Sequence, residues 1–194
     1  MLFQRAIEPN IRDLFFKGKI ITLLGPRQSG KTTLSKQLIA PLGDEGGYFD
    51  CQLAEVRNHF VIGKPDRLLG LIKHRRIVVF DEAQTIQDIG SILKTFHDTY
   101  PKTQVIATGS SSFDLSNKIK EPMTGRAHEF VLLPLCVEEV STALPITKET
   151  ILDLLLYGSY PAVVAARTKE DKLREIREIA TNYLYKDVFT FESI

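Results

Sequence analysis

The chain has 194 residues, 43% of them hydrophobic and 25% charged, with a net charge of +1. That is enough apolar material for one globular core. The charge is too balanced to draw the whole domain onto nucleic acid or an anionic membrane. No segment approaches the roughly 20 apolar residues of a membrane helix. The first ten residues, MLFQRAIEPN, lack the apolar run of a signal peptide, so a soluble, cytoplasmic protein is expected, with no membrane partner. Cys51 and Cys136 are far apart and lack metal-ligand spacing. Both sit among apolar residues, so buried free thiols in a reducing compartment are expected, not a disulfide.

In chain order, residues 20–24 form a short apolar run rich in β-branched residues and read as a strand. A glycine-rich loop follows, and then TTLSKQLIA with helical spacing at Leu34, Leu38 and Ile39, stopped by Pro41 and Gly43. GGYFDCQL reads as a second strand. Residues 53–73 read as mainly helical with a break at Gly63 and Pro65. RRIVVFDEAQ is a third strand, SILKTFHDTY a helix closed by Pro101, TQVIATGSSS a buried strand running into a polar loop, and HEFVLLPL a further strand. Strands alternate with helices and are continuous apolar runs, which is the pattern of a parallel sheet covered on both faces. The tail reads as a helix broken at Gly158 and Pro161. A charged amphipathic helix follows, with Ile176, Ile179, Tyr183 and Leu184 on one stripe. The expected fold class is therefore α/β: a three-layer sandwich around a mainly parallel sheet, followed by C-terminal helices. The expected domains are a core over residues 1–140 and a helical extension over 141–194. The apolar ending FTFESI reads as the front part of a longer protein that continues into a second domain.

The loop GPRQSGKT matches G-x-x-x-x-G-K-[ST] between a strand and a helix, the context in which the motif marks a phosphate-binding loop. Gly25 and Gly30 remove side chains where backbone N–H groups must wrap phosphate oxygens. The helix opening at Lys31 turns its positive end to the same place. Lys31 adds a point charge for the β- and γ-phosphates, and the Thr32 hydroxyl is placed for Mg²⁺. Pro26, Arg27, Gln28, Ser29 and Thr33 complete the nucleotide-binding stretch, with Arg27 and Gln28 at the loop tip. The bland alternative is a glycine-rich turn that binds nothing. IVVFDEAQ then acquires a purpose. Two adjacent acids at the end of a buried strand repel each other and resist burial. At the carboxyl end of a parallel strand Asp81 faces the ligand crevice and can orient Mg²⁺, while Glu82 can polarise the attacking water. Thr108, Ser110, Ser111 and Ser112 end another apolar strand and can sense a γ-phosphate, Ser110 being the first choice. A helix cap explains any one serine equally well. Asp50 ends the second strand and faces the same crevice, either as a ligand contact or as an acceptor of backbone hydrogen bonds.

LLGPRQSGKTTL, VVFDEAQ, ATGSSS, TGRAHEFVLLPL and YGSYPAVV occur in this order, and together they resemble the AAA-type ATPase domain of a prokaryotic group in the AAA+ superfamily. That domain usually precedes a C-terminal domain of unknown function. An ATPase that uses hydrolysis to switch or remodel an unknown protein partner is the first functional reading; the resemblance implies a core of about five parallel strands, with ATP and Mg²⁺ as ligands. It assigns Gly25, Gly30, Lys31 and Thr32 to the phosphate loop, Asp81 and Glu82 to metal and water, and Ser110 to the sensor loop. Arg126 stands where the family keeps an arginine that can neutralise phosphoryl charge in cis, or in trans within a homo-oligomer. A surface arginine paired with Glu129 or Glu121 is the alternative. Other readings stay open. DEAQ and ATGS also resemble helicase motifs, and KHRR at residues 73–76 can touch phosphates, so a nucleic-acid-dependent motor fragment is one, although the net charge does not favour DNA. A small-molecule kinase and a nucleotide-binding regulatory module with little turnover are the others.

Overall fold

The computed structural model describes residues 1–110 and 123–181. Five strands form one sheet: β1 (Ile20–Gly25), β2 (Gly46–Asp50), β3 (Ile77–Asp81), β4 (Gln104–Ser110) and β5 (Ala127–Val131). Their order is β2-β3-β4-β1-β5 and every pairing is parallel. β4 lies between β1 and β3, so the strand feeding the glycine loop and the strand ending in the acids are separated by one strand. The helices of this part are α1 (Glu8–Arg12), α2 (Lys31–Ile39), α3 (Ala54–Arg57), α4 (Pro65–Ile72) and α5 (Ile89–Thr99). The helical reading of residues 53–73 thus resolves into two short helices, α3 and α4.

The three central strands are buried along their whole length. Successive side chains of a strand point to opposite faces, and the core divides accordingly. Ile20, Leu24, Val78, Phe80, Val105 and Ala107 join one cluster. Ile21, Leu23, Ile77, Val79 and Ile106 join the other, with Leu34 and Leu38 of α2. Continuous apolar runs are the consequence of covering both faces. The Phe80 ring anchors the first cluster, 5.0 Å from Phe60 and 5.9 Å from Phe49 between centroids. Truncating such a ring to alanine costs about 3–5 kcal/mol.

Contacts divide the chain into two compact units. One comprises Ile7–Gly25 and Lys31–Leu132 and holds the sheet. The other comprises Met1–Ala6, Pro26–Gly30 and the described part of Leu133–Ile194. The second unit contains α6 (Val137–Ser141), α7 (Lys148–Tyr157), α8 (Pro161–Ala165) and α9 (Lys169–Ile179), around a small core of Phe3, Leu135 and Val140. The tail helix does break at Gly158 and Pro161. Ser111, Ser112, Glu121, Tyr183 and Leu184 lie outside the described residues. Cys51 is a buried free thiol, but Cys136 is exposed. Cys136 precedes α6 as its N-cap, with Sγ 3.3 Å from a Glu138 oxygen, and a cap position faces water more readily than a core.

Candidate nucleotide site

In the sheet unit, β1 ends at Gly25 and α2 begins at Lys31. Leu34 and Leu38 fasten α2 to the core, so its first turn is fixed in place. Lys31 is only 5% exposed, and its Nζ donates to the Gly25 carbonyl at 2.8 Å. An ammonium held this way stands at the mouth of the loop. Thr32 Oγ1 donates to Asp81 Oδ2 at 2.7 Å, joining α2 to the end of β3.

Asp81 is 3% exposed, so its carboxylate must be satisfied inside the protein. Three hydroxyls do this. Thr32 and Tyr48 donate to Oδ2, and Thr108 donates to Oδ1. Tyr48 comes from β2, where its register partner is Val79, two residues before Asp81. Burial, together with the Asp81 hydrogen bond and the charges of Asp81 and Asp50, pushes its phenol well above the ordinary range and keeps it a donor. Lys36 Nζ lies 4.5 Å over the same ring. Thr108 also accepts: its Oγ1 takes a hydrogen bond from the Glu82 N–H at 3.1 Å. One threonine therefore links both acids. Glu82 adopts a left-handed backbone (φ 54°, ψ 41°), unusual for a residue with a side chain. Its carboxylate accepts from Gln84 Nε2.

Ser110 is buried at the end of β4, in register with Gly25. Asp50 is in register with Asp81, and its Oδ1 accepts from the Gln52 N–H at 2.8 Å. Thus Gly25, Lys31, Thr32, Asp81, Glu82, Thr108 and Ser110 meet at the carboxyl ends of adjacent strands. Arg126 does not join them. It precedes β5, its carbonyl accepts from Ile20 N at the start of β1, and its Nε donates to Asp98 Oδ1 at 2.9 Å. The six-residue β1 separates that position from Gly25 by about 17 Å. Of the two partners expected of a surface arginine, Glu121 lies outside the described residues, and among the described residues Arg126 pairs with Asp98 and not with Glu129.

The loop tip, Pro26–Gly30, belongs to the other unit. There Arg5, 7% exposed, donates through Nη1 to the Ser29 carbonyl, through Nη2 to the Leu133 carbonyl (both 2.6 Å) and through Nε to Glu139 Oε1 at 3.0 Å. Glu139 also accepts from the N–H groups of Ala6 and Cys136. Burial raises its pKa, but the Arg5 hydrogen bond, these amides and the Arg5 charge outweigh that effect and hold it below the usual carboxylate range. Gln28 sits at a left-handed φ of 61°. No motif in the sequence marks Tyr48 beside Asp81, or Arg5 and Glu139 beside the loop tip.

A strand, a glycine loop closed by Lys31 and Thr32, and a buried acid bonded to that threonine define a P-loop NTPase domain of the AAA type. The chain belongs to the AAA domain family, whose model matches residues 17–141. No curated protein matches the sequence. Among solved structures, a Walker-type ATPase of Pyrococcus abyssi is similar over 98% of this chain and 76% of its own, with TM-score 0.65 and 17% identity. A signal transduction ATPase with numerous domains from Pyrococcus horikoshii, which carries a tetratricopeptide repeat sensor, matches 92% of this chain and 32% of its own (TM-score 0.57, 11% identity). The RuvB Holliday junction branch migration motor of Thermotoga maritima matches 91% and 61% (TM-score 0.50, 14% identity). At these identities the likeness is one of fold. No helix among the described residues is long and apolar enough to cross a membrane.

Proposed function

We propose that the chain binds Mg–ATP at residues 25–33 and hydrolyses it, using turnover to change its own conformation or that of a partner. The observation that carries this is the Thr32–Asp81 hydrogen bond of 2.7 Å, which puts a hydroxyl and a carboxylate together at the start of the loop helix. Both are hard oxygen donors and fit Mg²⁺. When bound, the metal would neutralise charge on the phosphates. Lys31 adds a second positive charge, and loop amides donate to phosphate oxygens. Glu82 orients the attacking water and takes its proton, and Thr108 holds the acid's backbone through the N–H at 3.1 Å. Ser110 donates to the γ-phosphate or the water. Because Arg126 lies at the other end of β1, no cis role is assigned to it.

The test is ATP turnover and ADP binding by the parent, Lys31→Ala and Glu82→Gln. The parent should hydrolyse ATP and lose turnover when EDTA removes Mg²⁺. Lys31→Ala should lose binding. Glu82→Gln should bind normally and turn over about 10²-fold slower or worse. Unchanged hydrolysis by Glu82→Gln would overturn the role given to it.

One observation favours a second reading, a nucleic-acid-dependent ATPase. At the amino ends of the strands, Lys73, His74, Arg75, Arg76 and Lys102 line an open groove of about 580 Å³ that has no acidic side chain in its wall. Arg76 pairs with exposed Glu45 at 3.1 Å, and its guanidinium covers the Phe16 ring at 5.0 Å. Cations beside an exposed aromatic ring suit a single-stranded phosphate backbone. On this reading a single-stranded oligonucleotide raises turnover, and Lys73→Glu with Lys102→Glu abolishes the stimulation. Failure of the oligonucleotide to bind at low salt would remove it.

A further inference from the structure

The Ser29 carbonyl and the Gly30 N–H belong to one peptide plane. In a trans peptide the two groups point in opposite directions, and the described residues contain no cis bond. Whatever holds the carbonyl on one side therefore aims the amide to the other. Arg5 holds it, with Nη1 2.6 Å from Ser29 O. The same nitrogen lies 3.3 Å from where a Cβ on residue 30 would stand, and Gly30 has φ +97°. The second glycine of the loop motif thus serves two needs at once, a left-handed backbone and room for the guanidinium.

We propose that Arg5 is a positioning residue for polyphosphate binding, acting through the Ser29–Gly30 peptide plane to aim the Gly30 N–H at the phosphates. The inference rests on the reading that this loop binds nucleotide. Arg5 itself lies outside the stretch that matches the family, residues 17–141. The guanidinium suits this role because its planar fork serves three acceptors in fixed directions: Ser29 O, Leu133 O and Glu139 Oε1. Its positive charge also polarises the peptide it grips, which strengthens the N–H on the far side as a donor. Glu139 sets the direction of the fork, and is itself oriented by the amides of Ala6 and Cys136.

A buried ion pair that only supports the fold predicts lost stability without a specific loss of nucleotide binding. Calorimetric titration with ADP, paired with thermal melting, separates the two. Arg5→Met should weaken ADP binding about 10-fold, equivalent to about 1.4 kcal/mol. Arg5→Lys, which folds more readily but serves fewer acceptors, should fall between it and the parent, with a shifted Gly30 amide signal in the nitrogen-15 spectrum. Glu139→Gln should weaken ADP binding in the same direction by less. Val140→Ala, in the small core of the same unit, should lower the melting temperature and leave ADP affinity within about twofold of the parent. Parental ADP affinity in Arg5→Lys with an unmoved Gly30 signal overturns the proposal. So does a loss of affinity in Val140→Ala that matches its loss of stability. A parent that binds ADP no better than Lys31→Ala would instead overturn the nucleotide reading itself, and the proposal with it.

Discussion

Replacing Thr108 by valine keeps the shape of a fully buried side chain and removes its hydroxyl. Two bonds go with it. One is the donation to the Asp81 carboxylate, and the other is the acceptance of the Glu82 N–H at 3.1 Å. A hydrogen bond to a charged group contributes about 1.5–3 kcal/mol, and leaving a desolvated N–H without a partner costs about 1–3 kcal/mol. The two losses share one oxygen and do not add fully, so about 3 kcal/mol is expected. Thr108→Ser does the reverse: it keeps the hydroxyl and deletes a buried methyl, at about 1 kcal/mol. For a chain of this size each kcal/mol lowers the melting temperature by about 2–4 °C. Valine should therefore melt roughly 6–12 °C below the parent and serine about 2–4 °C below. Thermal unfolding followed by circular dichroism, without nucleotide, measures both. The order of the two variants decides: if serine melts lower than valine, packing governs position 108 and the bridge between the acids is irrelevant to stability.

Tyr48→Phe should lower the melting temperature by about 3–12 °C through loss of one bond to buried, charged Asp81, and should raise the Mg²⁺ concentration needed for half-maximal turnover severalfold; unchanged values in both assays would remove Tyr48 from the site. Burial and the neighbouring acids Asp50, Asp81 and Glu82 push the Cys51 thiol up to about 12, so at about pH 8 native protein should label at exposed Cys136 and not at Cys51, with both labelling in denaturant; mass spectrometry of the labelled peptides decides. Glu139 is held below its ordinary value of 4.5, so its stabilising effect is complete above that pH and is lost as pH falls further. The melting difference between the parent and Glu139→Gln should accordingly narrow below about pH 4.5 and stay constant from there to neutrality.

The apolar strands and the phosphate loop were legible because each rests on a local pattern. A run such as IVVF needs only burial on both faces, and GPRQSGKT shows its strand–turn–helix course in its own residues, although the Arg5 contact that holds Ser29 O leaves no mark there. The acids followed, since a parallel strand that begins at one end of the sheet must finish at the other. Applied to Arg126, the same rule places the residue at the far end of β1 from Gly25, because it stands before β5 and not after it. Its closeness in sequence to the end of β4 concealed this. Tyr48 was invisible because its meeting with Asp81 exists only once β2 and β3 are in register. Arg5 and Glu139, 134 positions apart, meet through tertiary structure alone. Cys136 misled because apolar neighbours in sequence do not bury a residue that caps a helix.

The left-handed backbone at Glu82 has a consequence of its own. Glycine adopts that conformation freely, whereas a residue with a side chain pays about 1 kcal/mol or more to do so. Glycine there would tighten folding while deleting the carboxylate assigned to the attacking water, so a variant with a higher melting point and no hydrolysis is the expected product. At this single position, durability of the molecule and the catalysis proposed for it would pull in opposite directions.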